Sequence, residues 1–268
     1  MKFFDKLILV VLNILLLLLS AIVPSIIIAS TPAFYETQFI KTELCAPESG
    51  VDDLGPVIRY IDGDSTKSAR FTNEQMQLIA KHIIDYMFTD KESFALVMDD
   101  VYLNGSVQDN VSIFGEIAVK HMEDVKILFG FLIKFSIVAL AVVLSAGIYL
   151  FCRKEHTAPI LLKQTLGFYG TFIGIAALFC AVVAIQAHIN DVEYFSQLWH
   201  SLHSIFFLFE PNKIEGSFFN DALTCILTLE FFLGAVKIVV ATMGGVLAAW
   251  LTLSTFAKIR SKRKSTNF

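Results

Sequence analysis

The sequence predicts an all-α integral membrane protein with four transmembrane helices and a mostly helical extracytoplasmic subdomain. Its composition supports this class, because 55% of the residues are hydrophobic and only 17% are charged, which is too apolar for an ordinary soluble domain. Four apolar runs approach or exceed the roughly 20 residues that cross a bilayer. These runs are residues 7–28, 127–151, 166–187 and 222–256.

The basic residues near the ends of the apolar runs predict the orientation. They precede the first run, lie between the second and third runs, and follow the fourth run, all on one side of an even-numbered topology. Cytoplasmic loops are enriched in Lys and Arg, so this side is predicted to be cytoplasmic. Both termini are then cytoplasmic, and the segments between the first and second runs and between the third and fourth runs face outward.

The predicted organisation divides the chain into eight parts. They are a cytoplasmic N-terminus with the first transmembrane helix (1–30), an extracytoplasmic subdomain (31–125), the second transmembrane helix (126–152), a cytoplasmic loop (153–165), the third transmembrane helix (166–187), an extracytoplasmic loop with an interfacial helix (188–221), the fourth transmembrane helix (222–257) and a basic cytoplasmic tail (258–268).

Within the outer subdomain, one helix has a clear sequence signal. Thr72 and Gln75 have the spacing of a capping box, and apolar residues repeat at helical spacing from there to Phe88. Residues 45–70 are rich in Asp, Ser, Gly and Pro and are predicted to form a loop insertion. Residues 93–103 fit a short helix or a pair of strands equally well.

Several functional classes lack support in the sequence. It has no basic patch with interleaved aromatic residues, no glycine-rich phosphate loop and no Cys-x-x-Cys pair, so we expect no nucleic-acid, nucleotide or zinc-finger site. It also has no Gly-x-Ser-x-Gly sequence and no outward-facing cysteine beside a histidine. A covalent acyl-enzyme therefore has no evident nucleophile.

His121 and Asp124 lie where the outer subdomain becomes the second apolar run. They are three residues apart and share one face of a continuous helix. An imidazole beside a carboxylate at headgroup depth suits proton transfer on an interfacial substrate. The alternative is that Glu116, Lys120, His121, Glu123 and Asp124 only form a polar collar that marks the membrane boundary.

A second group of histidines lies in the loop before the fourth apolar run. Residues 194–209 repeat Trp and Phe at helical spacing, as interfacial helices do, and His200 and His203 share one face. Together with His188 they could form the metal site of a membrane hydrolase. A non-catalytic sensor or accessory protein, in which the histidines are replaceable, is the other alternative. We predict neither metal nor cofactor.

Four sequence segments, taken in order, resemble the lipoprotein intramolecular transacylase (Lit) family of bacterial four-span membrane proteins. These segments are IIDYMF at 83–88, HMEDVKILF at 121–129, HSIFF at 203–207 and the EFF of Glu230 to Phe232, which follows an outer Asp221. The resemblance implies location in the bacterial cytoplasmic membrane, with an extracytoplasmic active face. It also implies diacylated lipoproteins and membrane lipid as partners.

The implied reaction moves the sn-2 acyl chain of a diacylglyceryl-cysteine lipoprotein to the α-amino group of the same cysteine, giving the lyso form. The resemblance assigns general acid and base roles to His121 and His203, and orienting roles to Asp124 and Asp221. The candidate substrate contacts are Trp199, His200, Phe206 and Phe207. Because amine and ester belong to one molecule, the enzyme needs no nucleophile of its own.

Overall fold

The computed structural model describes residues 3–46, 53–152, 165–171, 173–174 and 220–265, and it is mostly helical. The helices are α1 (Phe3–Ala29), α2 (Pro32–Lys41), α3 (Asn73–Phe88), α4 (Glu116–Cys152), α5 (Ala222–Ile226) and α6 (Leu229–Ser265). Residues 165–171 and 173–174 are also helical. A 3₁₀ turn spans Ile61–Gly63.

Among the described residues, three helices are long and apolar enough to cross a membrane: Phe4–Ala29 in α1, Glu116–Leu150 in α4 and Leu229–Leu253 in α6. Only 11% of the most apolar window of α4 and 6% of that of α6 are buried within the protein. Large apolar side chains such as Phe131 and Ile137 are more than half exposed, as expected of surfaces that face lipid. The predicted third span, 166–187, falls mainly outside the described residues.

The all-α prediction is wrong in one respect, because the described part of the chain contains six short strands. They are β1 (Ile58–Arg59), β2 (Ser68–Arg70), β3 (Val97–Met98), β4 (Val101–Leu103), β5 (Ser106–Gln108) and β6 (Val111–Ser112). One antiparallel sheet has the order β1-β2-β4-β5, and β3 pairs with β6 in a second sheet. Strands of two or three residues are too short to show the period-2 pattern from which strands are predicted.

The pairing register explains how residues 93–112 fold. Tyr102 lies opposite Arg70 and also opposite Val107, so β4 is one of the two inner strands of the larger sheet. Asn104 and Gly105 have positive φ values of 48° and 92°, which form the tight turn between β4 and β5. Of the two predictions for residues 93–103, the strands are confirmed, although β3 and β4 belong to different sheets.

The chain divides into two compact units, and the first comprises Met1–Ile22, Phe135–Phe209 and Val240–Phe268. Its described helices are joined by polar contacts between apolar surfaces. The Asn13 side-chain oxygen accepts a hydrogen bond from the Thr165 hydroxyl at 3.4 Å, and the Trp250 indole donates to the same hydroxyl at 3.3 Å. The Tyr149 hydroxyl donates to Asp5 at 3.2 Å. Such contacts between helices replace hydrogen bonds that lipid does not supply.

The second unit comprises Val23–Lys134 and Glu210–Val239. The predicted capping box of α3 is present, since the Thr72 hydroxyl accepts from the Gln75 backbone and the Gln75 side chain accepts from Thr72. The apolar face of α3 packs into the core of this unit. Fully buried members of that core include Phe39, Phe71, Ile79, Ile83, Phe94 and Ile113.

Residues 53–70, which belong to the segment predicted as a loop insertion, are part of this core. Within residues 53–70, Ile58, Ile61 and Ala69 are at most 2% exposed. β1 and β2 lie in this segment and pair with each other, and β2 also pairs with β4. The Asp, Ser, Gly and Pro content therefore reflects tight turns between short strands, and the prediction of a loop insertion is wrong for residues 53–70.

Candidate active site

His121 and Asp124 lie on the first turns of α4. Both side chains are buried, at 6% and 4% exposure. The neighbouring Ala118 and Met122 pack into the core of the second unit. The predicted shared face is therefore present, and it is enclosed by protein and not exposed to solvent like a simple polar collar. Burial of a titratable pair is costly without compensating contacts, so such pairs concentrate at functional sites.

The carboxyl group of Asp124 is polar, buried and without a hydrogen-bond donor among the described residues. It therefore does not bond to the His121 ring, although the two share a helix face. An acceptor held in this state is suited to a donor from a substrate or from another segment. The expected carboxylate–imidazole hydrogen bond is absent within the described part of the chain.

Lys126 fixes this part of α4 against the end of α3. Its ammonium donates to the Thr89 carbonyl at 2.9 Å and to the Lys91 carbonyl at 2.7 Å. It also lies 4.6 Å from the centre of the Tyr86 ring, within the range of a cation–π interaction. Burial raises the pKa of Tyr86, and the carboxyl groups of Glu123 and Asp124 raise it further. The Tyr86 phenol is therefore within electrostatic range of the helix face that bears Asp124.

The Asp221 carboxyl group joins the residue before α4 to the first turn of α5. Its two carboxyl oxygens accept hydrogen bonds from the Gly115 and Leu223 backbone N–H groups, at 2.9 and 2.8 Å. The bond to Leu223 caps α5, since aspartate accepts well at a helix N-terminus. Next to it, the Ala222 N–H donates to the Tyr60 carbonyl. Asp221 therefore determines where the chain enters α4.

Gly115 is required at this junction because there is no space for a side chain. A Cβ atom there would lie 2.9 Å from the Asp221 carboxyl oxygen, 2.9 Å from the Gly63 nitrogen and 3.0 Å from the Gly63 Cα. Two of these atoms belong to the backbone and cannot rotate away. The close approach of Gly63 and Gly115 lets the Asp221 carboxyl group reach the Gly115 N–H.

Burial raises the pKa of Asp221 to about 6. The two backbone N–H groups oppose this rise, and nearby Asp62 adds to it. A carboxyl group whose folded pKa lies above the usual 3.8 binds a proton in the folded state that the unfolded state has released. Its contribution to stability is therefore present at low pH and is lost as the pH rises from about 4 through about 6.

We expect Asp221→Asn to remove this pH-dependent step. The wild-type protein should lose on the order of 3 kcal/mol relative to the variant between pH 4 and pH 7, since each pKa unit is worth about 1.4 kcal/mol. Thermal unfolding of both proteins in detergent at a series of pH values measures this difference in stability. The contributions of titratable groups that both proteins share cancel in the comparison. A constant difference across this pH range would contradict the expectation.

His82, on α3, is a structural histidine. Its Nε2 lies 2.8 Å from the Phe94 carbonyl and its Nδ1 lies 2.8 Å from the Lys91 ammonium. Because the ammonium is a donor, Nδ1 accepts and Nε2–H donates to the carbonyl. Burial lowers the pKa of His82, and the Lys91 charge lowers it further, whereas the Phe94 carbonyl and Asp85 raise it.

Five predicted site residues lie outside the described residues, and His188 does as well. Those five residues are Trp199, His200, His203, Phe206 and Phe207. Their roles remain predictions. Among the described residues, His121, Asp124 and Asp221 belong to one unit, and Asp221 contacts the residue directly before α4.

No sequence pattern singles out Gly115, and Lys126 and Tyr86 have no predicted role at the site. A glycine one residue before a long helix is a weak signal of a functional site. Position 115 requires glycine because of its contact with the Gly63 turn, which lies more than 50 positions earlier in the sequence. The predicted second span begins at Lys126, and an ammonium group is expected at such a membrane boundary. Its carbonyl partners become visible only once α3 and α4 pack together.

Comparison with known proteins gives one family. The chain matches the family model described as lipoprotein intramolecular transacylase Lit over residues 7–232. No curated protein sequence matches the chain significantly.

Three solved structures of the membrane-integral lipoprotein intramolecular transacylase Lit from Bacillus cereus have a similar fold. Each is 16% identical to this chain, with a TM-score of 0.59. One, with a histidine replaced by arginine, covers 98% of this chain and 95% of its own. The second covers 97% of this chain and 98% of its own. The third, with a histidine replaced by alanine, covers 97% of this chain and 96% of its own.

Proposed function

We propose the detailed reaction of this chain, which belongs to the lipoprotein intramolecular transacylase family and is therefore an acyltransferase in the membrane. The protein moves the sn-2 acyl chain of a diacylglyceryl-cysteine lipoprotein to the α-amino group of the same cysteine. The product is a lyso-form lipoprotein with an N-acyl chain and a monoacylglyceryl thioether.

Proton transfer is the chemical task that the protein must perform. The amine attacks the ester carbonyl only after losing a proton, and the glyceryl oxygen leaves only after gaining one. Both reacting groups belong to one molecule, so binding that folds the headgroup into a near-attack geometry replaces a bimolecular encounter. The reaction forms one nitrogen–carbon bond and cleaves one carbon–oxygen bond of the same molecule. It therefore needs neither a cofactor nor an external acyl donor.

The observation that supports this proposal is the buried His121–Asp124 face at the beginning of an apolar helix. In the proposal, His121 and His203 share the base and acid roles. Asp124, whose oxygens accept no hydrogen bond from described residues, stabilises the charged imidazole or receives the substrate ammonium. Asp221 acts indirectly, by holding the Gly115 backbone and thus the entry to α4.

Trp199, His200, Phe206 and Phe207 complete the proposal as substrate contacts. An indole N–H at Trp199 would stabilise the oxyanion that forms as nitrogen attacks the carbonyl. Phenylalanines on an interfacial helix would contact the acyl chains. These roles rest on the position of the residues in the sequence.

We also propose the membrane arrangement. Four spans with both termini cytoplasmic follow from the distribution of Lys and Arg, and residues 166–187 form the third span. The second unit, with His121 and Asp124, then lies on the extracytoplasmic side of a bacterial cytoplasmic membrane. Diacylated lipoproteins reach this side after export.

Mass spectrometry of a reporter lipoprotein tests the reaction. The reporter is expressed with this protein in a bacterial host that lacks its own N-acylating enzyme. We expect the N-terminal peptide to keep its total mass while one acyl chain moves to the cysteine nitrogen. A diacylglyceryl peptide with a free amine would contradict the proposal, and net loss of one acyl chain would instead indicate a hydrolase.

A further inference from the structure

A groove of about 680 Å³ lies between α3 and residues 96–100. On one side it is lined by α3 from its N-cap, Thr72, to Asp85. At 1.5 Å per residue this wall is about 20 Å long. An extended polypeptide of about six residues has the same length at 3.3 Å per residue. The groove therefore has the dimensions of a peptide-binding site.

The opposite wall is the edge of a β-strand. Within the described residues β3 pairs only with β6, and the groove is lined by Val97 and Met98 of β3 but by neither residue of β6. The Ile113 N–H donates to the Leu96 carbonyl at 2.9 Å. Because backbone groups alternate in direction along a strand, the N–H and C=O of Val97 point away from β6. An open strand edge binds extended peptides by adding a strand.

The groove has an apolar wall and an acidic rim. Leu78 and Val97 are 56% and 58% exposed. Of the two lysines that line the groove, Lys81 is paired with Asp85 and Lys91 contacts the His82 ring. The carboxyl groups of Glu74, Asp99 and Asp100 therefore outweigh the basic charge. This charge is complementary to a peptide with basic residues.

One end of the groove adjoins the segment that Lys126 holds. Lys91 lines the groove, and its carbonyl accepts a hydrogen bond from the Lys126 ammonium. Lys126 follows His121 by five residues, about 7.5 Å along α4. Nearby, the Phe88 and Phe129 rings lie 5.7 Å apart and join α3 to α4. The groove thus begins beside the turns of α4 that bear the candidate site.

We propose that this groove binds the polypeptide that follows the lipidated cysteine of the substrate, as an extended segment added to the edge of β3. The inference rests on the proposed function, because it identifies the occupant as the protein part of a lipoprotein. Acyl chains would be bound in the membrane, while apolar and basic residues after the cysteine would contact Leu78, Val97 and the acidic rim.

The first test compares two synthetic diacylglyceryl-cysteine lipopeptides with the full-length protein in micelles. One ends two residues after the cysteine, and the other continues for eight residues that include lysines. Val97→Pro removes the N–H that faces the groove and leaves the pairing with β6 in place. Val97→Thr is the control, because it keeps this N–H. We expect Val97→Pro to raise KM for the long lipopeptide about 2- to 10-fold, the effect of one lost hydrogen bond.

The short lipopeptide does not reach the groove, so Val97→Pro and Val97→Thr should have the same KM for it. This comparison also shows that Val97→Pro has folded. An equal change of KM with both lipopeptides would overturn the groove proposal. Equal KM values for the two lipopeptides with the wild-type protein would overturn it as well, although continued N-acylation would leave the proposed function intact.

The second test addresses charge. Glu74→Gln combined with Asp100→Asn removes two rim charges, and asparagine tolerates the positive φ of 54° at position 100. Glu36→Gln combined with Asp53→Asn removes two charges that do not line the groove. We expect the wild-type protein and this control to prefer a lysine-containing over a glutamate-containing lipopeptide, and the rim variant to lose the preference. The same preference in all three proteins would overturn the acidic-rim assignment.

A binding measurement separates the groove from the chemistry. If wild-type protein N-acylates neither lipopeptide, the proposed function fails. Fluorescence anisotropy of the labelled, delipidated lysine-containing peptide then tests the groove alone. Weaker binding to Val97→Pro than to Val97→Thr would support it, and absence of binding to wild-type protein would overturn it.

Discussion

Replacement of His121 with alanine is expected to lower the rate of acyl transfer by a factor of about 10² to 10⁴, the usual contribution of a general acid or base. The imidazole is buried on the first turns of α4 beside a carboxyl group that accepts no hydrogen bond from described residues. Alanine keeps the helix but cannot accept or return a proton. The initial rate of N-acylation, followed by mass spectrometry with a saturating lipopeptide, measures the loss.

His156→Ala provides the matched control, because this histidine lies in the predicted cytoplasmic loop and has no proposed role. Its rate should equal that of the wild-type protein. His121 is buried, so thermal unfolding must show that the His121→Ala variant is folded before its rate is interpreted. A folded His121→Ala variant with the wild-type rate would exclude the imidazole from proton transfer and contradict the mechanism.

Gly115→Ala should lower both stability and activity, although it changes no reacting group. The added methyl group would meet the Asp221 carboxyl oxygen and the Gly63 backbone at 2.9–3.0 Å. Overpacking of this kind costs about 1–3 kcal/mol, which exceeds the gain of about 0.4–1 kcal/mol when alanine replaces glycine without strain. Displacement of the entry to α4 should also slow acyl transfer up to about 10²-fold, as misplaced catalytic groups do.

Gly130→Ala is the matched control on the same helix. Among the described residues, a Cβ atom at Gly130 meets no heavy atom within 4 Å apart from the backbone of its own helix, so the substitution tests alanine in α4 without a clash. We expect this variant to be at least as stable as the wild-type protein and equally active. If Gly115→Ala behaves like Gly130→Ala in thermal unfolding and in the acyl-transfer assay, the junction at Asp221 does not position α4.

Helix α4 is well predicted by the sequence alone. An unbroken helical pattern from about Ser112 through His121 to Phe151 predicts one continuous helix, and α4 spans Glu116–Cys152. The capping box at Thr72 fixes the beginning of α3, and both of its hydrogen bonds are present. These signals are local, since capping and apolar periodicity depend on residues within a few positions of each other.

The fourth apolar run shows the limit of such signals. The sequence predicts one span from residue 222, whereas the structure has α5, a break at Leu227, and then α6 from Leu229. The Asp221 cap and the Thr228 hydroxyl, which accepts from the Phe231 N–H at 3.3 Å, each begin a separate helix. Hydropathy averages over such a break because most of the residues around it are apolar.

The sequence by itself determined the membrane class of the protein, the family resemblance and the position of His121 and Asp124 on one helix face. Only the tertiary structure decided that this face is buried and that residues 53–70 belong to the core. It alone joined Asp221 to Gly115 and opened a groove beside β3. The physical reason is sequence separation: the Asp221–Gly115 hydrogen bond joins residues 106 positions apart, and no local pattern encodes that contact.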